Sequence, residues 1–262
     1  MIEITQDLIQ INPFSRDGSK LKAKNGIAMH YTADPGAPAR NISHYFNSLK
    51  DQNIKDDAVD RYAGAHFSVD RTTKVQSIPT NERGYHVGSS QPYLPDAIRM
   101  IGSYPNDYCV GIEMCIEADG SIHEDTFQNA ADLVVWLITN DGFPNVLFTH
   151  KDIVGWKDCP LPWVKNPSEF ERFKQLVNTK LKELEQMDAI LKQLADLQGQ
   201  VKCLEDAAVK IAAPKWFVDE FKSADLGGVI TEPLKTEEFW ETLATVLRAV
   251  KYVAVQPSEV TG

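Results

Sequence analysis

Two histidines and a cysteine define the chemistry this sequence can offer. His30 lies near the end of the apolar run Ile27-Ala28-Met29-His30-Tyr31, and His150 closes a second run, Val146-Leu147-Phe148-Thr149-His150. Cys159 follows in the loop Gly155-Trp156-Lys157-Asp158-Cys159-Pro160. Two imidazoles and a thiolate leave a fourth coordination position open, which is the composition of a hydrolytic zinc site, and no fourth soft ligand stands nearby to close it. Taken from residue types alone, the same set also fits a buried histidine and an inert core cysteine. A carboxylate joins them at Glu113. Val110, Ile112, Met114 and Ile116 alternate with Gly111, Glu113, Cys115 and Glu117, so one face of a strand packs and the other carries Glu113. Beside a metal such a carboxylate can move a proton; its other reading is a solvated strand residue.

The elements that must hold these groups form a mixed pattern as far as about Pro167. Ile27 to Tyr31 reads as a buried strand. His66 to Asp70 and Lys74 to Ile78 alternate across a turn at Arg71-Thr72-Thr73, and Val146 to His150 reads as a last strand. Between them, Phe127, Ala130, Ala131, Val134, Val135 and Ile138 have the spacing of an amphipathic helix over 125–139, stopped at Asp141-Gly142. The fold class is α/β, with residues 1–167 as one domain. After Asn166-Pro167, Ser168 with Glu171 reads as a capping box opening a long helix. From Met187 a heptad pattern sets in, with Met187, Leu194, Val201 and Ala208 on one seam position and Ile190, Leu197, Leu204 and Ile211 on the other. Residues 168–213 are therefore expected to form a helical linker that must pack on another helix or on a second copy of the chain. Pro214 ends it. A small helical module is expected over 214–262, with Trp216, Phe217, Phe221 and Ala224 on one helix and Thr236 capping a second that carries Phe239, Trp240, Leu243, Val246 and Leu247.

Composition narrows the functional classes. With 43% apolar and 24% charged residues in 262, the chain can build a core and is not a disordered polymer. Its 27 basic against 37 acidic residues give a net charge of −10, which disfavours nucleic acid as the main partner. No run approaches the roughly 20 apolar residues that span a bilayer, and Met1 to Lys20 lacks the apolar stretch of a secretory signal. The expectation is synthesis in the cytoplasm without membrane insertion. Four irregularly spaced cysteines do not make a disulfide framework. Cys109 and Cys115 read as small core residues, Cys203 as a helix-interface thiol, and His44 and His123 as exposed polar residues.

Five stretches, in order, carry a family resemblance: Met29-His30-Tyr31-Thr32, Ala65-His66-Phe67-Ser68-Val69-Asp70, Gly84-Tyr85-His86-Val87-Gly88, Val110-Gly111-Ile112-Glu113, and Thr149-His150 through Lys157-Asp158-Cys159-Pro160. In them the first 165 or so residues resemble the zinc-dependent N-acetylmuramoyl-L-alanine amidases of the type-2 amidase and peptidoglycan-recognition superfamily, especially endolysins of phages that infect Gram-positive hosts. The resemblance implies a central mixed β-sheet flanked by helices, with a Zn2+ site in a groove on one side. It implies His30, His150 and Cys159 as the zinc ligands. Relatives carry Cys or Asp at the third position, so Asp158 competes, and the Lys-x-Cys-Pro order favours Cys159. Glu113 matches a catalytic glutamate and Lys157 a lysine that stabilises the oxyanion. Ala65 stands where some relatives have a tyrosine, which moves the acid/base role towards Glu113. Tyr31, Tyr85 and His86 are implied as substrate contacts, with Asn106-Asp107-Tyr108 on the approach to Glu113, and His66 as a groove or strand-holding residue.

The implied reaction is hydrolysis of the amide between N-acetylmuramic acid and the L-alanine of the stem peptide, on the wall of a Gram-positive bacterium, after holin-mediated release. Two alternatives accompany it. A non-catalytic recognition protein of the same fold is disfavoured by retention of both histidines and the cysteine, and a cytoplasmic enzyme recycling soluble muropeptides would not need the heptad helix and tail. The tail bears a fainter similarity to S-layer homology motifs, through Pro214-x-Trp216, Ala224, Gly228-Val229-Ile230, Pro233 and Thr236-Glu237-Glu238-Phe239. Glu237 stands where an arginine is expected, and only one copy is present. Wall binding and homo-oligomerisation are equal readings of that tail.

Overall fold

The computed structural model describes residues 2–52, 59–207, 210–232 and 234–255. Ala208 of the heptad seam and Pro233 of the tail motif lie outside the described residues. Two compact units emerge, Met1–Gln186 and Met187–Gly262.

In chain order the first unit contains β1 (Thr5–Gln6), β2 (Gly26–Tyr31), α1 (Ala39–Ser48), β3 (Phe67–Val69), β4 (Lys74–Gln76), α2 (Pro95–Met100), β5 (Cys109–Met114), α3 (Glu124–Asp141), β6 (Leu147–Thr149), α4 (His150–Val154) and α5 (Leu161–Lys165). It also contains the first half of the long helix α6 (Pro167–Ala207). The strands form one mixed sheet in the order β1-β4-β3-β5-β2-β6, antiparallel only between β3 and β4. This is the central mixed sheet flanked by helices that the sequence implies.

Side-chain alternation decides which face of that sheet is the core and which can carry a site. Met29, Ile112 and Phe67 stand side by side across β2, β5 and β3. Together with Ile27, Val110 and Met114 they pack against Phe127, Ala130, Val134 and Leu137 of α3. One residue further along, the row is His30, Glu113 and Ser68. The opposite face therefore carries the polar groups, and it too is covered, by Ala97, Ile101 and Ile153 near Ala28 and Cys109 and by Ile42 and Phe46 near Ala65. Both faces of β5 are thus packed along most of its length, with Glu113 itself half-buried.

Helix α3 runs slightly beyond the expected 125–139 and stops where Gly142 turns to φ 73°, a conformation that glycine adopts without steric cost. Helix α6 starts at Pro167, one residue ahead of the expected cap, with proline at a position whose N–H needs no partner. Ser168 instead donates to the Asn166 side chain at 2.7 Å. Phe173 and Val177 of α6 are wholly buried against Phe127 and Trp163, which is why the first unit extends past residue 167.

The second unit holds the rest of α6, then β7 (Lys210–Ile211), α7 (Lys215–Phe221), β8 (Lys235–Thr236) and α8 (Glu237–Val255). Strands β7 and β8 pair antiparallel, and Phe217, Trp240 and Ala244 form a small buried core, with the Trp240 indole donating to the Ile211 carbonyl at 3.3 Å. Thr236 caps α8 by accepting from the Phe239 N–H at 3.3 Å, as the sequence suggested. The seam residues Met187, Ile190, Leu194, Leu197, Val201 and Leu204 are all exposed, Leu194 at 49% and Leu197 at 56%. Cys203 is exposed as well, and all four cysteines are free thiols. Among the described residues no helix is long and apolar enough to cross a membrane.

Candidate metal centre

Three neighbouring elements deliver the three candidate ligands. His30 lies on β2, in register with Glu113 on β5. His150 follows β6, the other neighbour of β2, and it is the first residue of α4 and not the last of a strand. Thr149 caps that helix, accepting from the Asp152 N–H at 3.0 Å while the Asp152 carboxylate accepts from the Thr149 N–H at 2.8 Å. The signal was legible in Thr149-His150-Lys151-Asp152, a reciprocal cap in which Asp takes the usual place of Glu. Cys159 returns to the cluster because its carbonyl accepts from the Lys151 N–H at 3.0 Å, which ties the 155–160 loop to the start of α4.

One ligand atom each from His30, His150 and Cys159 lies within 4.8 Å of the others, and all three residues are buried. Asp158, the competing ligand, is exposed and paired with Lys151 at 2.6 Å. Burial holds both imidazoles neutral: His30 is pushed well below its ordinary value, with His150 adding to the effect, and His150 is lowered to about 3. Burial also raises the Cys159 thiol to about 12, helped by Glu113 and opposed by the Tyr31 N–H and Lys157. Neither ring nitrogen of His150 has a hydrogen-bond partner among the described residues. Two neutral imidazoles, one of them with neither nitrogen engaged, beside a thiol whose ionisation lacks only a positive charge, are what a soft divalent cation requires. The residues fit such an ion.

Glu113 shares the groove. Burial raises its carboxyl to about 8 against the pull of Lys157, and Oε2 has no partner among the described residues. Lys157 itself is exposed. The cavity above the cluster measures about 670 Å³ and is lined by His30, Tyr31, Tyr85, His86, Glu113, His150, Lys157 and Cys159, whereas Asn106, Asp107 and Tyr108, also expected on the groove, do not line it: Asn106 binds the His86 and Val87 N–H groups and Asp107 pairs with Lys22 and Arg83. The far wall of the cavity was not foreseen. Ile42, Tyr45 and Phe46 of α1, with Arg61 and Tyr62, complete it, and no motif spacing ties those residues to the histidines.

The expected substrate contacts differ in how free they are. The Tyr85 hydroxyl donates to Asp17 at 2.8 Å, and Arg83 holds the same carboxylate, which fixes the ring on the rim. His86 has both nitrogens engaged inside the protein, with His30 and with the Cys109 carbonyl. His66 holds strands together: its Nδ1 accepts from the Gly111 N–H at 3.0 Å and its Nε2 lies 2.8 Å from the Glu82 carbonyl.

A family model described as N-acetylmuramoyl-L-alanine amidase matches residues 20–162, more than half of the chain and all of the cluster just described. The chain belongs to that family. Among curated relatives of this amidase-family chain, a probable N-acetylmuramoyl-L-alanine amidase of Bacillus licheniformis is 36% identical over 182 residues, covering 69% of this chain and 49% of that protein. N-acetylmuramoyl-L-alanine amidase BlyA of Bacillus subtilis is 34% identical over 190 residues, covering 69% and 48%. The chain thus spans about half the length of the curated relatives it matches. Among solved structures, the catalytic domain of XlyA superposes with a TM-score of 0.51 at 28% identity, over 67% of this chain and 99% of that domain. PlyL, at 23% identity and a TM-score of 0.51, shares the fold. The amidase-family match ends within α5, so all of α6 and the second unit lie outside it.

Proposed function

We propose that this chain is a zinc-dependent N-acetylmuramoyl-L-alanine amidase, an endolysin that cleaves the bond between N-acetylmuramic acid and L-alanine in the peptidoglycan of a Gram-positive wall. The observation that carries the reading is the convergence of His30, His150 and Cys159 within 4.8 Å, beside the half-buried Glu113 whose Oε2 has no partner among the described residues, in a groove of an amidase-family domain. When bound, zinc supplies a Lewis acid for the scissile carbonyl and lowers the pKa of a water to about 7.

The remaining roles fall to the chain. Glu113 accepts the proton of the attacking water and returns it to the leaving amine, a task for which a carboxyl tuned towards neutrality is suited. Lys157 offers a fixed positive charge to the oxyanion that develops as water adds. Tyr31 and Tyr85 line the groove where glycan and peptide would lie.

For the whole chain we propose a catalytic part whose site residues lie within 1–167 and which packs on the first half of α6, a connector formed by the rest of α6 whose seam from Met187 to Leu204 pairs with a second copy, and a module over 214–262 that keeps the enzyme on the wall; Ile211, expected on that seam, lies instead on β7. Release to the wall through a holin completes the proposal. The direct test is amine release from purified Gram-positive walls. It should require zinc, stop with a chelator and return on adding zinc back. A purified chain that binds zinc and walls yet frees no amine would instead be a recognition protein.

A further inference from the structure

The two histidines of the cluster are held in different ways. Among the described residues nothing bonds to either nitrogen of His150, so its tautomer is left to the ligand it meets. His30 sits at the end of a chain of hydrogen bonds. His86 Nε2 lies 3.1 Å from the Cys109 carbonyl, and His86 Nδ1 lies 3.1 Å from His30 Nε2. A carbonyl only accepts, so His86 must carry its hydrogen on Nε2. Its Nδ1 is then a bare acceptor, and His30 must donate from Nε2. That leaves the Nδ1 lone pair of His30 facing Cys159 Sγ, 3.7 Å away.

We propose that His86 is a positioning residue: through the Cys109 carbonyl it fixes both the tautomer and the ring orientation of His30, and so presents Nδ1 to the metal. A ligand imidazole whose other nitrogen donates to a fixed acceptor is more basic and better aimed than a free one. Here the fixed acceptor is a second imidazole, itself anchored to the sheet.

The surroundings of His86 over-determine its position. The Asn106 side-chain carbonyl accepts from the N–H groups of His86 and Val87 at 3.2 and 3.0 Å. The His66 ring meets His86 edge-on at 5.4 Å between centroids, and the His30 ring does the same at 5.2 Å. Below it lies Gly111, where a Cβ would come within 2.6 Å of both Cγ and Nδ1 of His86. The absence of a side chain at 111 is thus a requirement of the His86 ring. The Gly-Tyr-His and Val-Gly-Ile-Glu stretches are therefore two halves of one support for the first candidate ligand.

This inference rests on the metal-site reading, and the experiment separates the two. In the full chain, the nitrogen chemical shifts of His30 should report hydrogen on Nε2, both without metal and with zinc. Zinc affinity by competition with a coloured chelator should fall roughly 10- to 100-fold in His86→Leu. His86→Gln, whose side-chain oxygen can still accept from Nε2, should recover most of that loss. The visible spectrum of the cobalt-loaded protein should change in His86→Leu and return towards the wild type in His86→Gln, which a purely structural effect would not produce. Hydrogen on Nδ1 of wild-type His30, or unchanged zinc affinity in a folded His86→Leu, overturns the inference alone. Failure of the wild type to bind zinc at all removes the metal reading, and this inference with it.

Discussion

At the scale of single residues, the decisive comparison is between neighbours. Cys159 and Asp158 are adjacent in sequence, yet one is buried with its sulfur facing His30 and the other is exposed against Lys151. Cys159→Ser should therefore lose most zinc and essentially all amine release, while Asp158→Ala should keep both; metal analysis with a wall-hydrolysis assay checks this, and the reverse result would transfer the ligand role to Asp158. Glu113→Gln should retain zinc but lower turnover by roughly 10²- to 10⁴-fold, the usual contribution of a positioned general base. The same change carries a sign for stability. The folded carboxyl sits at about 8, above the ordinary value, so its ionisation opposes folding increasingly as pH rises from about 4 to 8. In metal-free protein, Glu113→Gln should raise the melting temperature at pH 9 and leave it unchanged at pH 4. Residue types and motif order made His30, Glu113, His150 and Cys159 legible in the sequence. The link from His30 to His86 was not, because the two are 56 positions apart and meet only through the packing of the sheet face.

At the scale of elements, the sequence displayed periodicity well and termini poorly. The strands around His30 and Glu113 and helix α3 appear close to where alternation and amphipathic spacing put them. Helix α1 was missed, although it forms the far wall of the groove, because what starts it lies elsewhere in the chain. Pro38 makes no side-chain cap, and the Ala39 N–H donates instead to Asp70 at 2.9 Å, from the turn between β3 and β4. The same carboxylate accepts from Thr72 and Thr73 at 2.9 and 2.7 Å. Burial opposes its ionisation, but these N–H groups outweigh burial and hold Asp70 below the ordinary carboxylate value. Asp70→Asn keeps an acceptor oxygen but loses the charge, so it should cost on the order of 1 kcal/mol at neutral pH. Because the folded value is depressed, that contribution is present above about pH 4 and disappears as acid protonates Asp70, so the gap between wild type and variant should close on acid titration. Helix α6 raises the other question at this scale. Its seam from Met187 to Leu204 is exposed and is flanked by the uncharged Gln193, Gln198 and Gln200, with an acidic residue, Glu205, only at its far end, so little like charge opposes pairing with a second copy. Sedimentation should show a concentration-dependent dimer that Leu194→Asp with Leu197→Asp reduces to monomer; a monomer at all concentrations would remove that role for the seam.

At the scale of the whole molecule, the division of labour depends on where the chain can be cut. The groove and every candidate site residue lie within Met1–Gln186, and the family match lies there too. A boundary at 167, natural from the change in sequence pattern, would discard Phe173 and Val177. Both are wholly buried against α3 and Trp163, and the loss of such large apolar side chains costs on the order of 5 kcal/mol, comparable to the net stability of a small domain. Pattern changes mark where a helix begins; burial marks where a folding unit ends, and the sequence exposes only the first. A chain ending at 167 should therefore fold poorly, whereas one ending at 186 should melt cooperatively and bind zinc. The shorter functional chain also tests the second unit. If residues 187–262 hold the enzyme on its insoluble substrate, the 1–186 chain should hydrolyse soluble muropeptides at the full-length rate but sediment less with walls and release amine from them more slowly. Equal sedimentation of both forms would leave wall attachment to the groove itself and make pairing of copies the remaining role for α6 and the small core around Trp240.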